Sequence, residues 1–139
     1  MQVGAEMQVR ALVADDHPTN RLVLQTLLSQ FGCAVSLAAD GLEASDIASL
    51  QPFDLIIMDR NMPRRNGDEA ARSIRETGGP SAGSLIVLWT TDPPSAALPP
   101  VYDRNLAKPV AVDDLTALLE LALERLRAAK VTSSRRNVN

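Results

Sequence analysis

Short aliphatic runs that end in chemistry-bearing residues alternate along this chain with segments of helical period. That alternation restricts the fold more than any other feature. Arg10-Ala-Leu-Val-Ala14 runs into Asp15-Asp16, Phe53-Asp-Leu-Ile-Ile-Met58 into Asp59, and Ser84-Leu-Ile-Val-Leu-Trp89 into Thr90-Thr91-Asp92. A second strand is predicted over 34–39, closed by the turn signal Asp40-Gly41. A very short fifth strand, Leu106-Ala107, precedes Lys108-Pro109. Apolar runs this short, bounded by polar residues, suit strands buried on both faces of a sheet.

Helical segments fill the intervals. His17-Pro18 opens one, with Pro in the first turn, an apolar stripe of Val23, Leu24, Leu27, Leu28 and Phe31, and a stop at Gly32. A weaker helix is predicted from Leu42 to Leu50 and another from Gly67 to Glu76. The last, over 112–130, carries Leu115, Leu118, Leu119, Ala122 and Leu126 on one stripe, with Asp113 as its expected N-cap. Between Asp92 and Asn105, Pro93, Pro94, Pro99 and Pro100 forbid an ordinary helix, so a loop or a single turn is expected there. Strand–helix alternation implies an α/β fold with a parallel sheet covered on both faces. Five strands suit the flavodoxin-like, doubly wound order 2-1-3-4-5, here with an atypical or missing fourth helix. The domain is expected over 8–130, flanked by tails at 1–7 and 131–139.

Composition narrows the function classes. The 139 residues fit one domain on a scale of about 100–200 residues each. Four rings (Phe31, Phe53, Trp89, Tyr102) are too few for a base-stacking surface, and a net charge of -3 argues against nucleic acid and anionic membranes. A single cysteine, Cys33, excludes a disulfide framework and a thiolate zinc site within one chain. No apolar run approaches a membrane span, and Met1 to Glu6 does not resemble a signal peptide, so a cytoplasmic location is expected.

In such sheets ligands sit at the carboxyl ends of the strands. Asp15, Asp16, Asp59, Thr90 and Lys108 are therefore expected to converge on one edge. Any one of these residues has an ordinary structural use, because Asp commonly caps turns. Their coincidence on four strand ends points to a site. Three carboxylates in one cleft repel unless a cation compensates, and Mg²⁺ suits a few carboxylates with open positions for water and phosphate.

With those residues in hand, the chain resembles the receiver domain of two-component response regulators, including those of hybrid histidine kinases. The resemblance spans about Gln8 to Ala129. It rests on Val13-Ala14-Asp15-Asp16, Asp59-Arg60-Asn61-Met62-Pro63-Arg64-Arg65-Asn66-Gly67, Leu88-Trp89-Thr90 and Lys108-Pro109. It implies that Asp59 accepts a phosphoryl group from a phosphohistidine of a histidine kinase or histidine phosphotransfer protein. It further implies Mg²⁺ bound by Asp16 and Asp59 directly, by Asp15 through water and by the Asn61 carbonyl. Lys108 would pair with Asp59 and then with a phosphoryl oxygen, and Thr90 would bond the phosphoryl group after transfer. Lys108-Pro109 would be cis. The implied product is a phosphorylation-controlled switch in phosphorelay signalling, not an enzyme with its own substrate, acting on a downstream protein as a monomer or weak dimer. The alternative is a degenerate receiver that docks partners without phosphorylation. The complete five-residue set argues against it. The last helix leaves too few residues for an output module, so the chain is expected to stand alone or to be a piece of a larger protein such as a hybrid kinase.

Other signals carry less. Gly78 to Ser84 lacks the Lys of a phosphate loop and precedes a strand. Asp59-Arg-Asn61 begins like a calcium loop, yet Arg64 holds the Gly position. A hydrolase of the aspartyl-phosphate type would need a second Asp where Asn61 stands. His17 beside the acidic pair is expected to be an ordinary exposed residue, and Cys33 a small packed side chain. Receivers usually carry Tyr or Phe three residues before the Lys, and here that position is Asn105. The usual aromatic coupling is therefore expected to be rerouted through the 93–103 segment.

Overall fold

A computed structural model describes residues 8–93 and 95–136. Residues 1–7 and 137–139, within the expected tails, and Pro94 lie outside the described residues. The elements run β1 (Arg10–Ala14), α1 (Pro18–Gln30), β2 (Ala34–Ala38), α2 (Gly41–Leu50), β3 (Leu55–Asp59), α3 (Gly67–Glu76), β4 (Leu85–Thr90), β5 (Arg104–Ala107) and α4 (Val112–Arg136). The five strands form one sheet in the order β2-β1-β3-β4-β5, and every pair is parallel. This is the flavodoxin-like order expected from the sequence.

Each sheet face has its own core. Val13, Leu55, Ile57, Val87, Trp89 and Leu106 pack with Leu24 and Leu28 of α1 and with Leu115, Leu118, Leu119 and Ala122 of α4. Leu12, Ile56, Met58, Ile86 and Leu88 pack on the other face with α2 and α3. No helix forms between β4 and β5 among the described residues. Leu98, Val101 and the buried Tyr102 of that loop cover the second face instead. Arg75 of α3 pins the loop, donating to the Ala82, Ser84 and Val101 carbonyls and to Asp103 Oδ2 at 2.7 Å.

Several boundaries differ from the sequence reading. Val23 and Phe31 are exposed, because only Leu24, Leu27 and Leu28 of the predicted stripe reach the sheet and Phe31 lies past the last turn. Asp40 caps α2, accepting from Glu43 N–H at 2.8 Å, and Gly41 is the first helical residue rather than part of a turn. β5 begins two residues early, at Arg104. Val112 opens α4, so Asp113 lies within the first turn with Asp114, where negative charge favours the helix N-terminus. The same helix continues to Arg136 through the predicted tail.

Candidate functional site

β1, β3, β4 and β5 run parallel in the registers Ala14↔Met58, Asp59↔Trp89 and Thr90↔Ala107. Their carboxyl ends therefore share one edge. Asp15 and Asp16 follow β1, Asp59 ends β3, Thr90 ends β4 and Lys108 follows β5. The Lys108–Pro109 peptide is cis. α3 starts hard against this edge: Gly67 N–H donates to the Arg60 carbonyl at 2.7 Å, and a Cβ at Gly67 would overlap the Asp59 carbonyl oxygen. A capping box between Asn66 and Glu69 fixes that helix start. The Gly that closes the Asp59-to-Gly67 run is thus a steric requirement of the site.

Lys108 joins the strand ends. Its Nζ donates to Asp15 Oδ2 at 2.9 Å and to Asp59 Oδ1 at 3.0 Å. Burial alone would raise the Asp15 carboxyl, but bonds from Lys108, from the His17 N–H (2.8 Å) and from Asn20 Nδ2 (3.2 Å) outweigh it and hold it below its ordinary value. Asp59 shifts the other way. Burial pushes it up, the Asp15 and Asp16 charges add to that, and Lys108 offsets only part. Burial would lower Lys108, but the two carboxylates overcome this, so the side chain is firmly an ammonium.

Asp16 Oδ1 is shielded from solvent and accepts no hydrogen bond. His17 Nδ1 lies 3.0 Å from it, and 3.4 Å from Asp15 Oδ1, but in a geometry that makes no hydrogen bond. An orphaned carboxylate oxygen beside two more carboxylates fits a hard cation with oxygen ligands. Asp15, Asp16 and His17 each offer a donor atom within 4.8 Å of the others.

Asp15, Asp59 and Lys108 are thus in direct contact, with Asp16 and His17 against Asp15. Thr90 accepts the Lys108 backbone N–H on its carbonyl at 2.9 Å, but the Thr90 and Asn61 side chains make no hydrogen bond to Asp59 or Lys108 among the described residues. Thr90 Oγ1 accepts from Asp92 N–H at 3.0 Å, and Asn61 is exposed on the loop after β3. Sequence reasoning missed four contributors: Asn20 on Asp15, Arg21 on the Asp15 carbonyl (2.7 Å), Arg60 between Asp68 and Asp92, and Trp89 beneath Lys108. For Asn20 and Arg21 the signal was available, since both sit in the first turn of a helix that starts at the acidic pair. His17 is exposed, as expected, with its ring lying against that pair.

The family described as "Response regulator receiver domain" matches residues 11–120. The chain belongs to this family. It is a phosphoacceptor switch domain in type, and the docking-only alternative finds no support. Response regulator MprA of Mycobacterium bovis is 36% identical over 131 residues, 92% of this chain and 56% of that protein. Sensor protein EvgS of Escherichia coli K12 is 49% identical over 78 residues, 56% of this chain and 6% of that protein. The chain therefore spans about half, or much less, of the curated relatives it matches. Among solved structures, the receiver domain of sensor histidine kinase PA1611 from Pseudomonas aeruginosa, with magnesium coordinated in its active-site cleft, gives a TM-score of 0.74 at 27% identity. That match covers 84% of this chain and 98% of the other. The receiver of Saccharomyces cerevisiae Ssk1, crystallised with the histidine phosphotransfer protein Ypd1, is similar at 25% identity with a TM-score of 0.67, covering 81% and 86%. No helix among the described residues is long and apolar enough to cross a membrane.

Proposed function

We propose that Asp59 is the phosphorylated residue of this receiver. One Lys108 ammonium bridging Asp15 and Asp59 carries the reading, because it holds the acceptor carboxylate at the mouth of a cleft built to balance negative charge. An Asp59 carboxylate oxygen attacks phosphorus in line. A P–O bond forms as the donor's P–N bond breaks, and the electron pair leaves with the imidazole nitrogen of a phosphohistidine. Lys108 stays protonated and moves from the carboxylates to a phosphoryl oxygen, supplying fixed positive charge where the transferred group arrives. Thr90, at the end of the adjacent strand, donates its hydroxyl to the same group.

Asp16, Asp59, Asp15 through water and the Asn61 carbonyl would hold Mg²⁺. When bound, the ion supplies charge neutralisation for phosphoryl oxygens. The carboxylates among these ligands include Asp15 and Asp16, whose charges add to the effect of burial in raising Asp59. The donor is a histidine kinase or histidine phosphotransfer protein, which places the domain in the cytoplasm, and the receiver unit comprises residues 8–130. The phosphorylated form would lose its group to water unaided, since small polar Asn61 and Asp92 hold the two positions that in receivers border the water's path.

Acetyl phosphate with Mg²⁺ tests the assignment. Wild type should gain one phosphoryl group by intact mass, and Asp59→Asn should gain none while retaining the same circular dichroism. A modified Asp59→Asn protein would place the acceptor elsewhere.

A further inference from the structure

Lys108 has a third neighbour that the phosphoacceptor reading does not use. Its Nζ lies 4.7 Å from the ring centroid of Trp89, inside the range of about 6 Å at which a cation is held by a ring face. An ammonium has three N–H donors. Two of these meet Asp15 and Asp59, and the remaining side of the group lies over the indole. Trp89 is itself fixed: it is buried in β4, and its Nε1–H donates at 3.2 Å to the carbonyl of Ala107, the residue before Lys108. The indole thus grips the backbone that launches Lys108 and lies under its charged end.

We propose that Trp89 is a positioning residue for phosphoryl transfer, holding the Lys108 ammonium on its ring face while the ammonium changes partners. This inference rests on the phosphoacceptor reading of Asp59. An oxygen acceptor in the ring's place would be directional and would compete with the incoming phosphoryl oxygen. The face of a ring attracts a cation without fixing its direction, so Nζ stays held while it passes from carboxylate to phosphoryl oxygen, and the attraction counts for most in mid-transfer, where the ammonium has the fewest oxygen partners. Trp89 is the β4 register partner of Asp59, but in this scheme its ring acts on the transfer only through Lys108.

Trp89 is the only tryptophan in the chain, so fluorinated tryptophans can be incorporated at this site alone. Fluorination leaves the ring shape and N–H in place but draws electron density from its face. The rate of phosphorylation by acetyl phosphate at saturating Mg²⁺ should fall stepwise from tryptophan to mono-, di- and trifluorotryptophan. The total fall should be about ten-fold, with Mg²⁺ affinity and thermal midpoint unchanged. Trp89→Leu should fall at least as far, and the Lys108 ε-methylene protons, shifted upfield by the indole in wild type, should lose that shift. Rates that ignore fluorination, or Lys108 protons without an upfield shift in wild type, would overturn the role of Trp89 while leaving Asp59 as acceptor. A wild-type chain that takes no phosphoryl group would overturn both.

Discussion

Replacing Lys108 with Met removes the charge that holds three strand ends together while keeping most of the side-chain volume. Its two bonds, 2.9 Å to Asp15 and 3.0 Å to Asp59, both go to carboxylates with side chains at most 11% exposed. Asp15 keeps the His17 N–H and Asn20, but Asp59 loses the only side chain that donates to it among the described residues. Breaking a buried pair by removing one partner costs about 3–5 kcal/mol, because the other charge stays behind. At a urea slope of about 1–3 kcal/mol per molar, the metal-free midpoint should drop by about 2 M.

The pH dependence has a definite sign. With Lys108 gone, burial and mutual repulsion push Asp15 and Asp59 up, and a carboxyl raised above its unfolded value of 3.8 destabilises the fold wherever it is ionised. The penalty is fully present at neutral pH and is lost as pH falls through the raised folded values toward the unfolded one. In wild type the depressed Asp15 contributes in the opposite sense, stabilising above its unfolded pKa and losing that contribution in acid. The gap between the proteins should therefore be widest near pH 7 and narrow toward pH 4. Mg²⁺ should close part of it at neutral pH by neutralising the same carboxylates. Urea titrations at several pH values, with and without Mg²⁺, measure all of this. A metal-free mutant as stable as wild type, or a gap that does not change with pH, would refute the reasoning.

Thr91 is exposed beside Thr90, where receivers usually carry Ala, and Thr91→Ala should speed both phosphorylation by small donors and hydrolysis. Unchanged rates would put its side chain outside the approach to Asp59. Cys33 is half-buried, and burial with the nearby Asp54 charge pushes its thiol up to about 11. Iodoacetamide labelling of the native protein should be slow at pH 8 and accelerate toward pH 11, whereas rapid labelling at pH 8 would contradict that environment. Beryllofluoride, a phosphoryl mimic, should change amide exchange across residues 92–107, and protection changes that bypass this stretch would rule out a rerouted switch.

The strand ends were legible because a parallel sheet leaves little choice: an aliphatic run that stops at Asp, Thr or Lys must deliver that residue to the carboxyl edge. The missing helix was equally legible, since four prolines in 93–100 remove the backbone donors and dihedrals a helix needs. What escaped was set by tertiary contact. The Val23-to-Phe31 spacing marks a helix but not how wide a stripe the sheet accepts, and the sheet buries only its centre. Nothing local shows that Trp89 of β4 and Lys108 just past the end of β5 meet face to charge, or that Arg60 reaches Asp92 thirty-two residues away. Asn105 correctly signalled that the usual aromatic position is vacant, but the pattern could not say that Tyr102 turns inward in its place.

That inward Tyr102 bears on how a signal could leave the site without a fourth helix. Its hydroxyl donates to Asp68 Oδ1 at 2.7 Å, and Arg60 Nε shares that oxygen at 3.4 Å. Arg60 Nη1 reaches Asp92 Oδ2 at 3.0 Å, and Asp92 N–H donates to Thr90 Oγ1. A continuous polar chain thus connects the Thr90 hydroxyl to the loop that replaces the helix, and it passes through Arg60, the residue adjacent to Asp59. Its links are unequal. Tyr102 is buried and bonded to a carboxylate, whereas the Arg60–Asp92 pair is part-exposed, a class worth about 0–1 kcal/mol. If Asp59 takes up negative charge and draws Thr90 toward it, Asp92 is expected to move with it, and the two part-exposed Arg60 contacts, 3.0 Å to Asp92 and 3.4 Å to Asp68, are the links expected to part. Coupling of this kind would need no aromatic side chain at position 105, only soft ion pairs between the loop after β3 and the loop after β4.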